Sequence, residues 1–128
     1  MKRPFEFTGR IRSFKHAFHG IGTMLVSQHN AWVHAVATVA VCITGFAFGI
    51  TKTEWCMVVL AIMAVWTAEA LNTAFEFLAD VTTPEFHPLV KKSKDVAAGA
   101  VLLAAIGSMV IGVLIFVPRV LSLIKGGR

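Results

Sequence analysis

Three long apolar segments, separated by short polar stretches, dominate the pattern of residues along the chain. They cover 31–50, 55–79 and 96–117, and each is long enough to cross a hydrocarbon core as an α-helix. The four polar residues at 51–54 are few enough for a tight antiparallel hairpin. The stretch 80–94 is polar and contains Pro84 and Pro88, which predicts a loop leading into a further helix, and Pro118 is expected to end the third span.

A shorter amphipathic segment, over about 8–28, precedes the first span. Its apolar residues recur at helical spacing and basic residues lie between them: Phe14, Ala17, Phe18, Ile21 and Leu25 are the apolar members. This spacing is typical of a helix that lies on a membrane surface. A helix packed against the other three would show the same pattern, and both alternatives stay open.

The pattern therefore predicts an all-α membrane protein, with an N-terminal amphipathic surface helix and three transmembrane helices in a single domain of residues 1–128. Composition agrees, because 56% of the residues are hydrophobic and only 15% are charged, against about 25% charged in soluble domains. Any polar chemistry is then expected at or near the bilayer surface.

The net charge of +5 comes from basic clusters that bracket the apolar segments: Lys2, Arg3, Arg10, Arg12 and Lys15, then Lys91, Lys92 and Lys94. Because these cations flank spans, they do not form a face for nucleic acid. They favour the cytoplasmic side for the N terminus and for the second loop. Arg119, Lys125 and Arg128 would then lie on the opposite side, against that rule.

A polar seam interrupts the second span. Its members stand at i, i+3, i+4, i+7 and i+11, which is one face of an α-helix: Glu69, Asn72, Thr73, Glu76 and Asp80. An acidic side chain at bilayer depth costs about 2.5–3.5 kcal/mol on insertion scales, so such residues face a protein interior or a watery cavity. The seam needs either compensating partners or a chemical role.

Carboxylate and amide oxygens can bind Mg²⁺, and a desolvated carboxylate can accept a proton from an alcohol. Beyond the loop, Lys94 can neutralise phosphate oxygens, while Asp95 can join the metal or position Lys94. These are parts of a phosphoryl-transfer site. A buried polar network that holds helices in register is the alternative for the seam, and a pair at a membrane boundary is the alternative for Lys94 and Asp95. The chain has neither a P-loop nor a protein-kinase motif set.

The run Glu69-Ala70-Leu71-Asn72-Thr73-Ala74-Phe75-Glu76, followed by Asp80, Glu85-Phe86-His87 and Lys94-Asp95, resembles the prokaryotic diacylglycerol kinase family, which includes the undecaprenol kinases. The resemblance extends over nearly the whole chain. It implies a lipid kinase that uses ATP and Mg²⁺ to phosphorylate a membrane lipid alcohol. It also implies a homotrimer with active sites shared between subunits, on the cytoplasmic side of the bacterial inner membrane.

Carried over by position, the resemblance implies a role for each residue of the motif. Glu69 would be the general base for the lipid hydroxyl, and Asn72 would orient that region. Glu76 would ligate the metal that bridges the ATP phosphates. Lys94 and Asp95 would bind or organise the nucleotide.

Phe86 and His87 would lie near the nucleotide base, although His87 could instead cap or stabilise its loop. His34 also fits the family pattern, but a single interfacial histidine is more often a local hydrogen-bonding residue. The chain departs from the family at Gln28, where many relatives have a metal-binding Glu, and at Phe86, where Tyr is frequent. Gln28 can still offer a weaker carbonyl ligand, so it stays a candidate contact to the metal or nucleotide.

The loop Thr83-Pro84-Glu85-Phe86-His87-Pro88 is closer to undecaprenol kinases than to the diacylglycerol-specific branch. Two alternatives to an active kinase remain. One is a non-enzymatic ion or proton relay, or a transporter subunit, in which Glu69 and Glu76 carry protons or ions. The other is a family member made inactive by Gln28.

Overall fold

The structure is a computed structural model that describes residues 7–83 and 85–126, with side chains from residue 9 onward. Within these residues the chain forms four helices: α1 (Phe7–Ser27), α2 (His29–Ala47), α3 (Lys52–Thr82) and α4 (Pro88–Gly126). The last three are long and apolar enough to cross a membrane, so the predicted all-α class with three spans is confirmed. Four residues named above lie outside the described residues: Lys2, Arg3, Pro84 and Arg128.

The helices extend further than the sequence pattern predicts. α3 continues to Thr82 and α4 already begins at Pro88, so the predicted polar loop over 80–94 is wrong in extent and shrinks to 83–87. Proline suits the first turn of α4, where its missing N–H has no helical partner. Pro118 does not end the third span, because α4 passes through it to Gly126. Membrane helices tolerate proline when their surroundings compensate for the lost hydrogen bond.

Helix α1 is separated from α2 by one residue, Gln28, whose extended backbone (φ −112°, ψ 118°) redirects the chain. The C-terminal part of α1 packs against the bundle, and Met24 is buried there. Phe14 and Phe18, further back, are 67% and 72% exposed. The apolar face of α1 is therefore only partly covered by the chain itself, which agrees with a helix at the membrane surface.

Helices α2 and α3 form an antiparallel hairpin. The chain reverses at Gly49, which has a φ of 59°, a left-handed conformation that glycine adopts without steric cost. Thr51 then begins α3 with a capping box, in which Thr51 Oγ1 accepts from the Glu54 backbone N–H and the Glu54 carboxylate accepts from the Thr51 backbone N–H. Two backbone donors of the first turn are thereby satisfied.

Helices α3 and α4 form a second antiparallel hairpin, and three polar contacts mark its length. Lys94 Nζ donates to Asp80 Oδ1 near the loop (3.0 Å), and Ser108 Oγ donates to the Ala61 carbonyl in the middle (3.1 Å). At the far end both terminal nitrogens of Arg119 meet the Glu54 carboxylate, at 2.8 and 2.7 Å. This pairing gives the half-buried guanidinium of Arg119 a carboxylate partner and ties the end of α4 to the start of α3.

The apolar core lies at the Glu54 end of the bundle. Ile50, Val58 and Ile115 are buried there, and partly buried side chains surround them: Val41, Phe48, Trp55, Ile62, Ile111 and Phe116. The opposite end, where α2 begins and α3 ends, contains the polar seam instead. The fold thus separates a packed structural end from a polar end.

We expect Gly45→Ala to destabilise the fold, because a Cβ there would lie 2.9 Å from Trp55 Cη2 and Cζ2. Overpacking of this kind costs about 1–3 kcal/mol. Gly107→Ala is the matched control, since a Cβ at Gly107 meets nothing within 4 Å. Thermal unfolding in detergent micelles, followed by circular dichroism, should show a lower Tm for the first variant alone. Equal Tm values for the two variants would contradict this packing.

Candidate active site

The polar seam on α3 runs from the bundle interior to its surface. Glu69 is 0% exposed, Asn72 and Thr73 are also buried, Glu76 is half-buried and Asp80 is exposed. This gradient follows from the length of α3, whose last turns project beyond the start of α2. The seam therefore offers a path from an enclosed carboxylate to the polar surface of the bundle.

Glu69 faces His34 of α2. His34 Nε2 lies 3.6 Å from Glu69 Oε2, and within the described residues neither that nitrogen nor either Glu69 carboxylate oxygen has a hydrogen-bond partner. Thr73 Oγ1 donates to the Glu69 backbone carbonyl at 2.9 Å, so it does not satisfy the carboxylate. An enclosed carboxylate without donors is energetically costly, and such groups are found where chemistry requires them.

Glu76 is held by two amides. Gln28 Nε2 donates to Glu76 Oε2 at 2.9 Å, and Asn72 Nδ2 donates to Glu76 Oε1 at 3.2 Å. The side-chain oxygen of Asn72 is buried and lacks a hydrogen-bond partner in the part of the chain described here. The structure thus brings Gln28, Asn72 and Glu76 together, at the break between α1 and α2.

The donor set around Glu76 fits Mg²⁺, which prefers oxygen ligands and is usually held by one or two carboxylates together with substrate phosphates. The Asn72 side-chain oxygen is an unpartnered acceptor beside this carboxylate. Across residues 7–83 and 85–126, no group of three or more His, Cys, Asp or Glu could hold a metal ion. A cation at Glu76 would therefore need amide oxygens and phosphate oxygens to complete its shell.

Lys94 and Asp95 have separate partners. Lys94 Nζ lies 3.0 Å from Asp80, whereas Asp95 pairs with Lys91 at 2.7 Å. The expectation that Asp95 positions Lys94 is therefore not what the structure shows, because Asp80 of the seam does so. The physical reason is the antiparallel packing of α3 and α4, which brings Asp80 beside Lys94. Asp80 lies one helical turn beyond Glu76 on α3, and the ion pair places the Lys94 ammonium beside it.

Phe86 and His87 lie in the loop 83–87. Phe86 is 78% exposed, so its ring is accessible. His87 Nδ1 accepts a hydrogen bond from the Leu89 backbone N–H at 3.3 Å, which caps the first turn of α4. His87 thus acts as a local cap of its loop, which is the alternative role expected for it from the sequence.

The pairing of His34 with Glu69 was missed by sequence reasoning, which treated His34 as a local interfacial residue. A usable signal exists. In an antiparallel hairpin, contacting residues lie almost symmetrically about the turn, and His34 and Glu69 are nearly equidistant from position 52. The same symmetry relates Gln28 to Glu76. Applied to the predicted hairpin, this symmetry narrows the possible partners of each residue, and the register of the two helices then decides among neighbouring positions.

Two open apolar grooves reach this region. One, of about 630 Å³, lies among α2, α3 and α4 and has His34, Thr38 and Ser108 among its lining residues. The other, of about 1110 Å³, lies between α3 and α4 and includes Asn72, Lys92 and Ser93. Apolar walls with a few polar groups at one position are typical of sites for amphiphilic ligands.

Comparison with known proteins matches residues 15–116 to the family model described as prokaryotic diacylglycerol kinase. The chain is 42% identical over 114 residues to an undecaprenol kinase of Bacillus subtilis, covering 89% of this chain and 93% of that protein.

The chain is also similar to two proteins named diacylglycerol kinase. One, from Synechocystis, is 36% identical over 87% of this chain, which spans only 64% of that relative. The other, from Helicobacter pylori strain J99, is 32% identical over 82% of this chain and 84% of its own length. Because the family model and these relatives extend over most of the chain, the protein belongs to the prokaryotic diacylglycerol kinase family and is a multi-pass membrane lipid kinase with a nucleotide co-substrate.

Proposed function

We propose that this lipid kinase transfers the γ-phosphoryl group of ATP to the hydroxyl of a lipid alcohol, undecaprenol or diacylglycerol, with Glu69 as general base. The observation that carries the proposal is the enclosed Glu69 carboxylate, 0% exposed and without hydrogen-bond donors among the described residues. Both oxygens of this carboxylate are therefore free to accept the proton of an alcohol that enters the site. That property is what a base for an alcohol requires.

In the proposed reaction the lipid O–H bond breaks and its proton goes to a Glu69 carboxylate oxygen. The lipid oxygen bonds to the γ-phosphorus, while the bond from that phosphorus to the bridging oxygen of ADP breaks. Negative charge spreads over the three peripheral oxygens of the transferred group. The products are a lipid phosphate, ADP and one proton, which Glu69 later releases to water.

The remaining residues of the seam hold and neutralise the phosphates. Glu76, Asn72 and Gln28 would hold Mg²⁺, which when bound neutralises phosphate charge. Lys94, placed by Asp80, would contribute a cation to the phosphate oxygens. This assignment agrees with the position of Lys94 one turn beyond Glu76.

The exposed loop and the start of α4 would receive the nucleoside part of ATP. Phe86 presents an exposed ring on which a base can stack, and His87 lies beside it. Asp95 would organise this region together with Lys91, with which it is paired. The groove beside His34 would take the apolar chain of the acceptor and bring its hydroxyl to Glu69.

We further propose that residues 1–128 act as one domain and assemble as a homotrimer with shared active sites. A single chain leaves both apolar grooves open and much of the apolar surface of its spans exposed. A neighbouring subunit would close the site and exclude water, which strengthens electrostatic interactions there. The basic residues of α1 and of the start of α4, Lys91, Lys92 and Lys94, support a cytoplasmic site at the inner membrane.

Undecaprenol is the favoured acceptor, because the Bacillus relative that carries this name has the highest identity of the three reported above. Membership of a kinase family weighs against the alternative of a non-enzymatic ion relay. An inactive kinase remains testable, because it predicts folded protein without turnover.

The direct test is transfer of radiolabelled γ-phosphate from ATP to undecaprenol or diacylglycerol in mixed micelles, with Mg²⁺ or with EDTA. We expect labelled lipid only with the metal, and a higher kcat/KM for undecaprenol. Folded protein that labels neither lipid would contradict the proposed activity. Equal labelling in EDTA would support the kinase activity but contradict the proposed role of Mg²⁺.

A further inference from the structure

We infer that His34 is a positioning residue for Glu69. Once a small side-chain rotation closes the 3.6 Å separation of the two groups, its Nε2–H donates to the Glu69 carboxylate and holds it in the orientation that receives the proton of the lipid hydroxyl. This inference rests on the proposed role of Glu69 as base. His34 stands on α2 and Glu69 on α3, so the contact joins the two helices of the first hairpin.

Two unsatisfied polar groups, the His34 imidazole and the Glu69 carboxylate, face each other. His34 Nε2 and both Glu69 carboxylate oxygens are buried, and none has a hydrogen-bond partner among the residues described. His34 Nε2 and Glu69 Oε2 are 3.6 Å apart, only slightly longer than a hydrogen bond. A small rotation of either side chain satisfies both groups at once, which is favourable because each is costly to leave unpaired.

The imidazole ring of His34 is constrained by its neighbours. His34 packs edge-on against Trp66, with ring centroids 6.4 Å apart and an interplanar angle of 70°. Trp66 is in turn anchored by its Nε1–H, which donates to Thr38 Oγ1 at 3.1 Å, and Thr38 donates to the His34 carbonyl at 2.7 Å. The ring therefore packs against a tryptophan that is itself anchored to α2, and its Nε2 faces Glu69. A group that orients a base needs such support.

A purely structural histidine is the competing explanation. It would stabilise the hairpin through ring packing, and the atom that faces Glu69 would be immaterial. Two amide substitutions separate the explanations. The side-chain amide of Gln falls near the position of histidine Nε2, whereas the amide of Asn falls near Nδ1. His34→Gln and His34→Asn thus differ by one methylene and by the position of the donor.

The experiment measures kcat and KM for ATP and for undecaprenol in mixed micelles, for the native chain and for His34→Ala, His34→Asn and His34→Gln. We expect His34→Ala and His34→Asn to lower kcat by about 30–100-fold, which is less than the loss of a general base because Glu69 itself remains. Both KM values should stay within about twofold of native, because the interaction acts on the chemical step. His34→Gln should keep kcat within about fivefold of the native value.

Several outcomes would overturn the inference. Equal kcat for Gln and Asn would show that the position of the donor is immaterial, and a loss confined to KM would place His34 in binding. A drop in Tm that parallels the loss of kcat across the three variants would assign it to structure. If His34→Ala fails to fold, the comparison of His34→Gln with His34→Asn still decides between the two explanations, because both variants retain a polar side chain.

Glu69→Gln separates this inference from the proposed function. If that variant keeps native kcat, the role of Glu69 as base fails, whatever the His34 variants do. If it loses activity while all three His34 variants remain at native kcat, only the positioning role fails. In the Glu69→Gln background, His34→Ala should lower the residual rate no further, since no base remains to be oriented.

Discussion

Replacing Glu69 with Gln is expected to lower kcat for lipid phosphorylation by about 10²–10⁴-fold, the usual contribution of a general base. The amide has the shape of the carboxylic acid but cannot take up the proton of the lipid hydroxyl. Because Glu69 is 0% exposed, the substitution also removes an enclosed charge, so the fold should be retained or stabilised. Radiolabel transfer from ATP to undecaprenol measures kcat, and thermal unfolding checks the fold.

Glu54→Gln is the matched control, because it makes the same chemical change at the other end of the bundle. Glu54 pairs with Arg119 and lies far from the polar seam along α3. We expect it to change kcat by less than about twofold, since distant sites act independently. If Glu69→Gln retained native kcat, or if both variants lost activity equally, Glu69 would not be the base.

Changing the charge at Gln28 or at Glu76 should produce the second large effect, on the Mg²⁺ dependence of the rate. Glu76→Gln removes the carboxylate from the proposed magnesium site, and we expect the Mg²⁺ concentration for half-maximal rate to rise by about 10–100-fold. Gln28→Glu does the opposite, because it sets a second carboxylate where Gln28 Nε2 and Glu76 Oε2 are now 2.9 Å apart. Without a cation the two carboxylates repel, and with Mg²⁺ they form a stronger oxygen site.

The double variant Gln28→Glu with Glu76→Gln is the control, because it restores one carboxylate facing one amide with the positions exchanged. The Mg²⁺ concentration for half-maximal rate of the double variant should be lower than that of Glu76→Gln and close to that of the native chain. Rates across a Mg²⁺ titration, and Tm values with Mg²⁺ and with EDTA, measure all four proteins. Gln28→Glu should show the largest gain in Tm on adding Mg²⁺. An identical Mg²⁺ dependence in all four would remove both residues from the metal site.

The spans were predictable because the bilayer sets a minimum length of apolar helix. Their ends were less predictable. Asp80 and Lys94 were assigned to a polar loop, but their ion pair across the second hairpin allows both helices to extend towards it. Pro118 was expected to end the third span, yet α4 continues through it to Gly126, because a proline removes only one hydrogen bond of the helix and its neighbours keep theirs.

The polar seam was also predictable, since the spacing of Glu69, Asn72 and Glu76 places them on one face of any α-helix. Their partners outside α3 were not. Lys91 and Asp95 are four residues apart and pair within one helix, a local contact available from spacing. Lys94 and Asp80 are distant in sequence and meet only because α3 and α4 pack antiparallel.

The sequence by itself determined the class of the protein: three membrane-spanning helices, a face of carboxylates and amides on the second, and a resemblance to a kinase family that the comparisons confirm. Local periodicity and apolar length suffice for these, because each depends on residues within one helix. The tertiary structure alone decided that His34 faces Glu69, that Gln28 reaches Glu76, and that Asp80 places Lys94. Those contacts depend on the register between helices, which side-chain packing and turn geometry determine together.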